Sequence, residues 1–240
     1  MNVPNMLTAS RIVAAPVVAW LPFVATWEAR LAAFFLFVAI AVTDYWDGKL
    51  ARDSGQVTDL GKMLDPLADK LLVVATFVPM FVLVGSGSSL SIMSAHTDPL
   101  VPGVAGPMLG DAPGSVVFPY ITPFGVIGLP WWILALVLGR EAMMTAFRQY
   151  AQRKGVLISA IASAKWKTGF QLVWVGASLF WFADATAAAQ QDWTSPFWVA
   201  WAHFVGLVNV VSMTGAVGLT GWSLVQYARQ YRKLIEEMAA

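Results

Sequence analysis

Six apolar runs, each next to charged residues, constrain the fold of this chain more than any other feature of its sequence. The runs cover residues 12–24, 31–42, 71–84, 126–139, 169–183 and 197–226. A helix rises 1.5 Å per residue and needs about 20 residues to cross ~30 Å of hydrocarbon, so five of the six helices must continue into their charged flanks. With 58% hydrophobic and only 12% charged residues, the chain cannot cover a water-facing surface. We therefore predict an all-α, polytopic membrane protein with six transmembrane helices, in a single domain over residues 1–240.

The charges predict the orientation of these helices. If both termini lie on one side, that side collects fourteen of the fifteen basic and nine of the fourteen acidic residues, which leaves +5 there and −4 opposite. By the positive-inside rule, the termini and the charged helix ends face the cytoplasm. Arg30 is the one basic residue on the other side. The opposite helix ends carry a belt of tryptophans, which comprises Trp27, Trp131, Trp132, Trp193, Trp198 and Trp201.

Residues 85–129 differ from the rest of the chain in composition. They contain eight Gly and six Pro, which excludes long helices, and we predict a long external loop whose 116–121 stretch lies at the membrane surface.

The absence of Cys from the chain excludes thiol nucleophiles and Cys-ligated metals, and the two His leave little room for a histidine metal site.

Four carboxylates are predicted to converge at the cytoplasmic ends of the second and third spans. Asp44 and Asp47 are three residues apart and Asp65 and Asp69 four apart, so each pair lies on one helix face. Carboxylate oxygens in such a cluster suit hard divalent cations such as Mg²⁺ or Mn²⁺. Two such cations held by shared carboxylates are typical of phosphoryl transfer. Asp69, furthest from the first pair along its helix, is the freest of the four to act as general base.

Small and basic residues in the same stretch favour a phosphate ligand. Gly48 and Ala51 share the face of the first two carboxylates and leave room for a ligand to approach, and Arg52 can bind phosphate oxygens through two N–H groups. One alternative is that these acids only pair with Lys49, Lys62 and Lys70 at the interface. Another is an ion channel or cation-coupled transporter, although no broken helix at mid-membrane and no inverted repeat supports it.

The pattern D-x2-D-G-x2-A-R-x8-G-x3-D-x3-D from Asp44 to Asp69 resembles the signature of the CDP-alcohol phosphotransferase family. That resemblance implies a homodimer of six-helix subunits with two divalent metals, in which an acceptor hydroxyl attacks a CDP-activated lipid and releases CMP. Asp44, Asp47 and Asp65 then correspond to metal ligands, and Asp69 lies near the metals as the base. Contacts to the CDP group are implied for Gly48, Arg52 and Thr58.

Further segments resemble the bacterial phosphatidylglycerophosphate synthases of this family. The N-terminal motif with Asn5 and Thr8 is similar to a segment that packs beside the nucleotide in those enzymes, and Arg140-Glu141 and the stretch from Ala162 to Thr168 also match. Ala164 departs from the pattern, since that subgroup commonly has Gly before the lysine.

A dianionic acceptor such as glycerol 3-phosphate needs cations of its own. The cytoplasmic ends of the fourth and fifth spans supply Arg140, Arg148, Lys165 and Lys167, with Glu141 placed to orient Arg140. Their alternative role is to anchor the helices to anionic lipid head groups. We favour substrate binding for Arg140 and Lys167, because each lies among apolar residues, where a charge is costly unless it has a partner or a function.

The expected reaction is therefore transfer of the phosphatidyl group from CDP-diacylglycerol to glycerol 3-phosphate at the inner face of a bacterial cell membrane. The same chemistry with phosphatidylglycerol or an inositol phosphate as acceptor, as in a cardiolipin or phosphatidylinositol-phosphate synthase, stays open. We expect membrane lipids and a second copy of the chain as partners, and no nucleic acid.

Overall fold

The computed structural model describes residues 3–54, 59–84, 118–156 and 162–232, without side-chain surroundings for 3–7, 45–54, 59–67, 126 and 162. Six long helices account for most of this part of the chain. They are α1 (Val3–Trp20), α2 (Trp27–Ser54), α3 (Asp59–Val84), α4 (Trp131–Arg153), α5 (Ala162–Gln190) and α6 (Pro196–Gln230). A short 3₁₀ turn (Leu21–Phe23) follows α1, and strands β1 (Tyr120–Thr122) and β2 (Gly125–Ile127) form an antiparallel hairpin. The described part is thus all-α apart from this hairpin.

Consecutive helices run in opposite directions, which brings charged residues from all six to one end of the bundle. We call this the charged end, and it holds the start of α1, α3 and α5 and the end of α2, α4 and α6. The hydrogen bond between Ser163 at the start of α5 and Gln226 near the end of α6 shows the arrangement. The opposite, aromatic end is tied by Arg30 of α2, which donates to Thr186 near the end of α5.

Helix α2 continues beyond its apolar run, as the sequence predicts. The apolar residues stop at Val42, but the helix extends through Asp44 to Ser54. Helix α3 likewise begins at Asp59, twelve residues before its apolar run. The two halves of the acidic signature therefore lie on the end of α2 and the start of α3, both at the charged end.

Helix α5 forms the centre of the bundle and packs against α2, α3 and α6. Its buried residues Trp174, Leu179, Trp181 and Phe182 belong to one apolar core that reaches every other helix. Two helical segments, Ser163–Gln190 and Pro196–Gln230, are by length and composition apolar enough to cross a membrane, and Thr8–Phe23 is a shorter apolar helix.

The prediction that the 116–121 stretch lies at the membrane surface is wrong for its described residues, 118–121. Tyr120 and Ile121 are buried inside the bundle at its aromatic end. The Tyr120 hydroxyl lies 2.7 Å from Ser178 Oγ and accepts a hydrogen bond from Trp174 Nε1, so polar groups of α5 satisfy it. Gly206 of α6 makes this insertion possible, because a Cβ there would lie 1.7 Å from the carbonyl oxygen of Ile121. Residues 85–117 of the predicted loop lie outside the described part.

Candidate active site

A buried arginine connects the first and last carboxylates of the acidic signature. Arg11 of α1 donates hydrogen bonds from the same Nη1 atom to Asp44 of α2 and, at 3.5 Å, to Asp69 of α3. The guanidinium is 5% exposed, whereas the Asp44 and Asp69 side chains are 52% and 65% exposed. The carboxylates therefore face solvent at the charged end, above a positive charge that lies between the helices.

The other two carboxylates share the helices of this pair. Asp47 follows Asp44 by about one turn on α2, and Asp65 precedes Asp69 by about one turn on α3. Their side chains lie outside the described part, as do those of Gly48, Ala51 and Arg52. The backbone thus places all four acidic positions on the two helices that Arg11 joins.

Two further predicted donor contacts come from α1. Thr8 lies one turn before Arg11 on this helix, and its side chain is buried. The side chain of Asn5 is outside the described part, and Thr58 lies wholly outside it. Of the predicted contacts of the CDP group, Thr8 is thus the one with a described side chain, and it lies at the same end of the bundle as the carboxylates.

A second buried charge cluster joins three helices at the charged end. Glu141 of α4 accepts hydrogen bonds from its neighbour Arg140, at 3.0 Å, and from Lys167 of α5. Arg140 Nη2 also lies 3.3 Å from Ser223 Oγ on α6. Arg140 is 6% exposed and Lys167 is 3% exposed, so two cations share one carboxylate inside the bundle. The cluster keeps a net charge of +1, which suits an anionic ligand.

Two donors near this cluster have no hydrogen-bond partner within the described part of the chain. They are Arg140 Nε and Gln171 Nε2, both buried. Gln171 follows Lys167 by four residues on α5 and therefore shares its helix face. Buried donors in folded proteins almost always have a partner, so these N–H groups favour a bound acceptor such as a phosphate.

The structure separates the four predicted acceptor contacts into two classes. Arg140 and Lys167 are buried and share Glu141, whereas the side chains of Arg148 and Lys165 are exposed. Lys165 lies two residues from Lys167 and so points to another side of α5. The exposed pair has the location expected of residues that contact lipid head groups.

Sequence reasoning did not assign site roles to Arg11, Gln171 or Ser223. Arg11 had two signals in the sequence, its charge at the start of an apolar run and its place at the end of the N-terminal motif that contains Asn5 and Thr8. Gln171 and Ser223 had none, because single polar residues inside apolar helices usually serve helix packing.

The chemistry of the acidic residues fits divalent cations. The Oδ1 atoms of Asp44 and Asp69 both approach Nη1 of Arg11. Their two negative charges exceed the single positive charge of Arg11. Oxygen donors of this kind are what Mg²⁺ and Mn²⁺ prefer. Among the described side chains, no three acidic or histidine residues come together, and Asp47 and Asp65 fall outside that set.

These features define a helical bundle with an acidic and a basic cluster at one end and with two helices apolar enough to cross a membrane. A sequence model of the CDP-alcohol phosphatidyltransferase family matches residues 1–100 and 108–221. The chain belongs to this family of enzymes.

Individual relatives carry more specific names. The chain is 30% identical to CDP-diacylglycerol–glycerol-3-phosphate 3-phosphatidyltransferase 2 of Arabidopsis thaliana, over 98% of this chain and 81% of that protein. It is 29% identical to the protein of the same activity from Cereibacter sphaeroides, over 97% of both chains. A probable phosphatidylglycerophosphate synthase of Mycobacterium tuberculosis is 33% identical over 73% of this chain and 64% of that protein.

Proposed function

We propose that this chain transfers the phosphatidyl group from CDP-diacylglycerol to glycerol 3-phosphate, which yields phosphatidylglycerophosphate and CMP. The observation that carries the proposal is the pairing of Asp44 and Asp69 through Arg11 at the same end of the bundle as Arg140 and Lys167. The names of the relatives support the two substrates.

In the proposed reaction, a hydroxyl oxygen of glycerol 3-phosphate attacks the phosphorus next to the diacylglycerol. The bond from that phosphorus to the oxygen of CMP breaks, and CMP leaves with the electron pair. Asp69 accepts the proton of the attacking hydroxyl, for which its exposed carboxylate is accessible. Arg11 supports this role by holding the Asp69 side chain opposite Asp44.

The residues proposed to hold two divalent cations are Asp44, Asp47, Asp65 and Asp69. Such cations stabilise the negative charge that develops on the pyrophosphate during phosphoryl transfer. The proposed contacts to the CDP group are Asn5, Thr8, Gly48, Ala51, Arg52 and Thr58.

The acceptor phosphate is proposed to bind at the buried basic cluster. Arg140 and Lys167 supply the charge, and the N–H donors of Arg140 Nε and Gln171 Nε2 supply hydrogen bonds. Arg148 and Lys165 are proposed as outer contacts of the acceptor phosphate, and their exposure also allows contact with lipid head groups.

The family and the apolar helices place the enzyme at a membrane. We propose that the chain forms one domain with six transmembrane helices, that two copies form a homodimer, and that the site faces the cytoplasm of a bacterial cell. The excess of basic residues at the charged end supports this orientation.

The test is CMP release by the purified, detergent-solubilised protein with CDP-diacylglycerol and Mg²⁺ or Mn²⁺. Parallel reactions contain glycerol 3-phosphate, phosphatidylglycerol, an inositol phosphate or no acceptor. Release that depends on glycerol 3-phosphate is the expected result. Release with another acceptor would instead overturn the assignment of the basic cluster, while the acidic cluster would keep its role.

A further inference from the structure

A pocket at the aromatic end, opposite the candidate active site, combines a carboxylate with aromatic walls. It has a volume of about 220 Å³ and lies between the start of α2 and the end of α5. Trp27 and Leu31 line it from α2, Phe180 and Asp184 from α5, and Trp193 from the connection that follows. None of these residues takes part in the proposed transfer reaction.

Asp184 is half-buried and has one hydrogen bond within the described part of the chain. Its Oδ2 accepts from Trp201 Nε1 at 2.7 Å, and no basic side chain of the described residues forms an ion pair with it. A carboxylate on an apolar helix is costly and persists where it has a partner or a function. A cationic ligand in the pocket would provide the missing countercharge.

The nearest arginine on α2 is already engaged elsewhere. Arg30 donates from Nε to the carbonyl oxygen of Pro22, at 2.9 Å, and from Nη1 to Thr186. Its guanidinium also lies 4.6 Å from the centre of the Phe118 ring. Arg30 therefore joins the 3₁₀ turn, α5 and Phe118, and leaves the Asp184 carboxylate available to a ligand.

Ring contacts hold the aromatic walls in place. Phe180 meets Trp201 edge to face, with ring centres 6.4 Å apart, and Trp193 meets Trp198 in the same way at 5.5 Å. Trp193 Nε1 also donates to Gln191 at 3.1 Å. Rings fixed in this way lose little side-chain entropy when a ligand binds, and aromatic rings that line a pocket attract quaternary ammonium groups, as in aromatic cages.

The charge at the aromatic end also favours a cation. Acidic residues there include Glu28 in the first turn of α2 and Asp192 beyond α5, and the net charge that the sequence assigns to this face is negative. The end of α5 adds the partial negative charge of its carbonyl groups.

We propose that this pocket binds an alkylammonium cation, with Asp184 as the countercharge and Trp27, Phe180 and Trp193 as the cage. The cation could come from the head group of an ethanolamine or choline lipid in the surrounding membrane, or from a free amine in solution. The location at the tryptophan-rich end of the bundle is compatible with both sources.

The first experiment measures binding of tetramethylammonium chloride to the full-length protein in detergent by saturation-transfer NMR, with sodium chloride to hold the ionic strength constant. We expect saturable binding, weakened about tenfold in Asp184→Asn, because the ion-pair partner is lost while Asn can still accept from Trp201. Trp193→Leu should weaken binding as well.

The matched control is Asp192→Asn, which removes a carboxylate from the same end but not from the pocket. Asp192 has φ +50°, a conformation that Asn adopts readily, so this variant should fold as the wild type does and weaken binding by less than about twofold, because its carboxylate adds only to the general charge of this end. Equal binding by Asp184→Asn and the wild type would overturn the proposal. Thermal unfolding midpoints of the three variants identify any loss that comes from misfolding.

The second experiment separates the two sources of the cation. The protein is placed in nanodiscs of phosphatidylglycerol with or without phosphatidylethanolamine, and retained lipids are counted by native mass spectrometry. Retention of phosphatidylethanolamine that is lost in Asp184→Asn identifies a lipid head group. Binding of tetramethylammonium without such retention identifies a free amine, and the absence of both overturns the proposal. None of these measurements depends on the phosphatidyl transfer activity.

Discussion

At the scale of single residues, Asp69 is the carboxylate whose role the structure makes most testable. Its side chain is 65% exposed and hydrogen-bonded to the buried Arg11, so it is accessible and oriented. We expect Asp69→Asn to abolish turnover, measured as CMP release, while binding of CDP-diacylglycerol stays within about twofold, because the amide keeps the shape but cannot accept the proton. Glu28→Gln, an exposed change at the aromatic end, is the control. A near-normal rate for Asp69→Asn would exclude Asp69 as the base.

The basic cluster allows a comparison of two lysines that are two residues apart. Lys167 is buried against Glu141, whereas Lys165 is exposed. We expect Lys167→Met to raise the KM for glycerol 3-phosphate by about tenfold or more with little change in the KM for the lipid donor, because a buried charge-assisted hydrogen bond is lost. Lys165→Met should change both values by less than about twofold. Equal increases in both KM values for Lys167→Met would indicate an anchoring or structural role instead.

At the scale of elements, the space between α2 and α5 suits the acyl chains of a lipid donor. A groove of about 390 Å³ lined by apolar residues runs between these helices, and its wall includes Val42, two residues before Asp44. Gly176 of α5 lines the groove, and a Cβ there would make an ordinary van der Waals contact with Phe37 at 3.5 Å.

We expect Gly176→Leu to lower kcat/KM for a long-chain CDP-diacylglycerol by about fivefold or more, because the new side chain fills the groove with the volume of three or four methylene groups. The rate with a dihexanoyl donor should change little. Gly218→Leu on α6, where a Cβ meets no atom within 4 Å, is the matched control. The same loss with both donors would show that the groove does not hold acyl chains.

At the scale of the whole molecule, the absence of cysteine makes the topology directly measurable. Lys154 follows α4 at the charged end and Gln191 follows α5 at the aromatic end. We expect Gln191→Cys to react with a membrane-impermeant maleimide in intact cells, and Lys154→Cys to react only after the membrane is opened, because the positive-inside rule predicts that the basic end faces the cytoplasm. Labelling of both positions from outside would contradict six spans with cytoplasmic termini.

Local pattern alone determined much of the architecture. The lengths of the apolar runs and their charged flanks predicted the helices, including the continuation of α2 through Asp44 to Arg52, and the observed helix ends at Ser54. The spacing of the acidic residues predicted which positions share a helix face, because that face follows from 3.6 residues per turn. The charge distribution predicted that the acidic and basic candidate site residues lie at one end of the bundle, where the structure has both clusters.

The contacts between residues far apart in the chain followed only from the tertiary structure. Arg11 bonds to partners 33 and 58 residues away, Lys167 bonds to a carboxylate 26 residues away, and Tyr120 enters the bundle to reach Ser178 58 residues away. Such contacts depend on the packing of helices against one another, and a local pattern has no information about which faces pack together. That packing explains why Lys167 is buried while Lys165 is exposed. It also explains why Tyr120, in a segment predicted to lie at the surface, is inserted into the bundle.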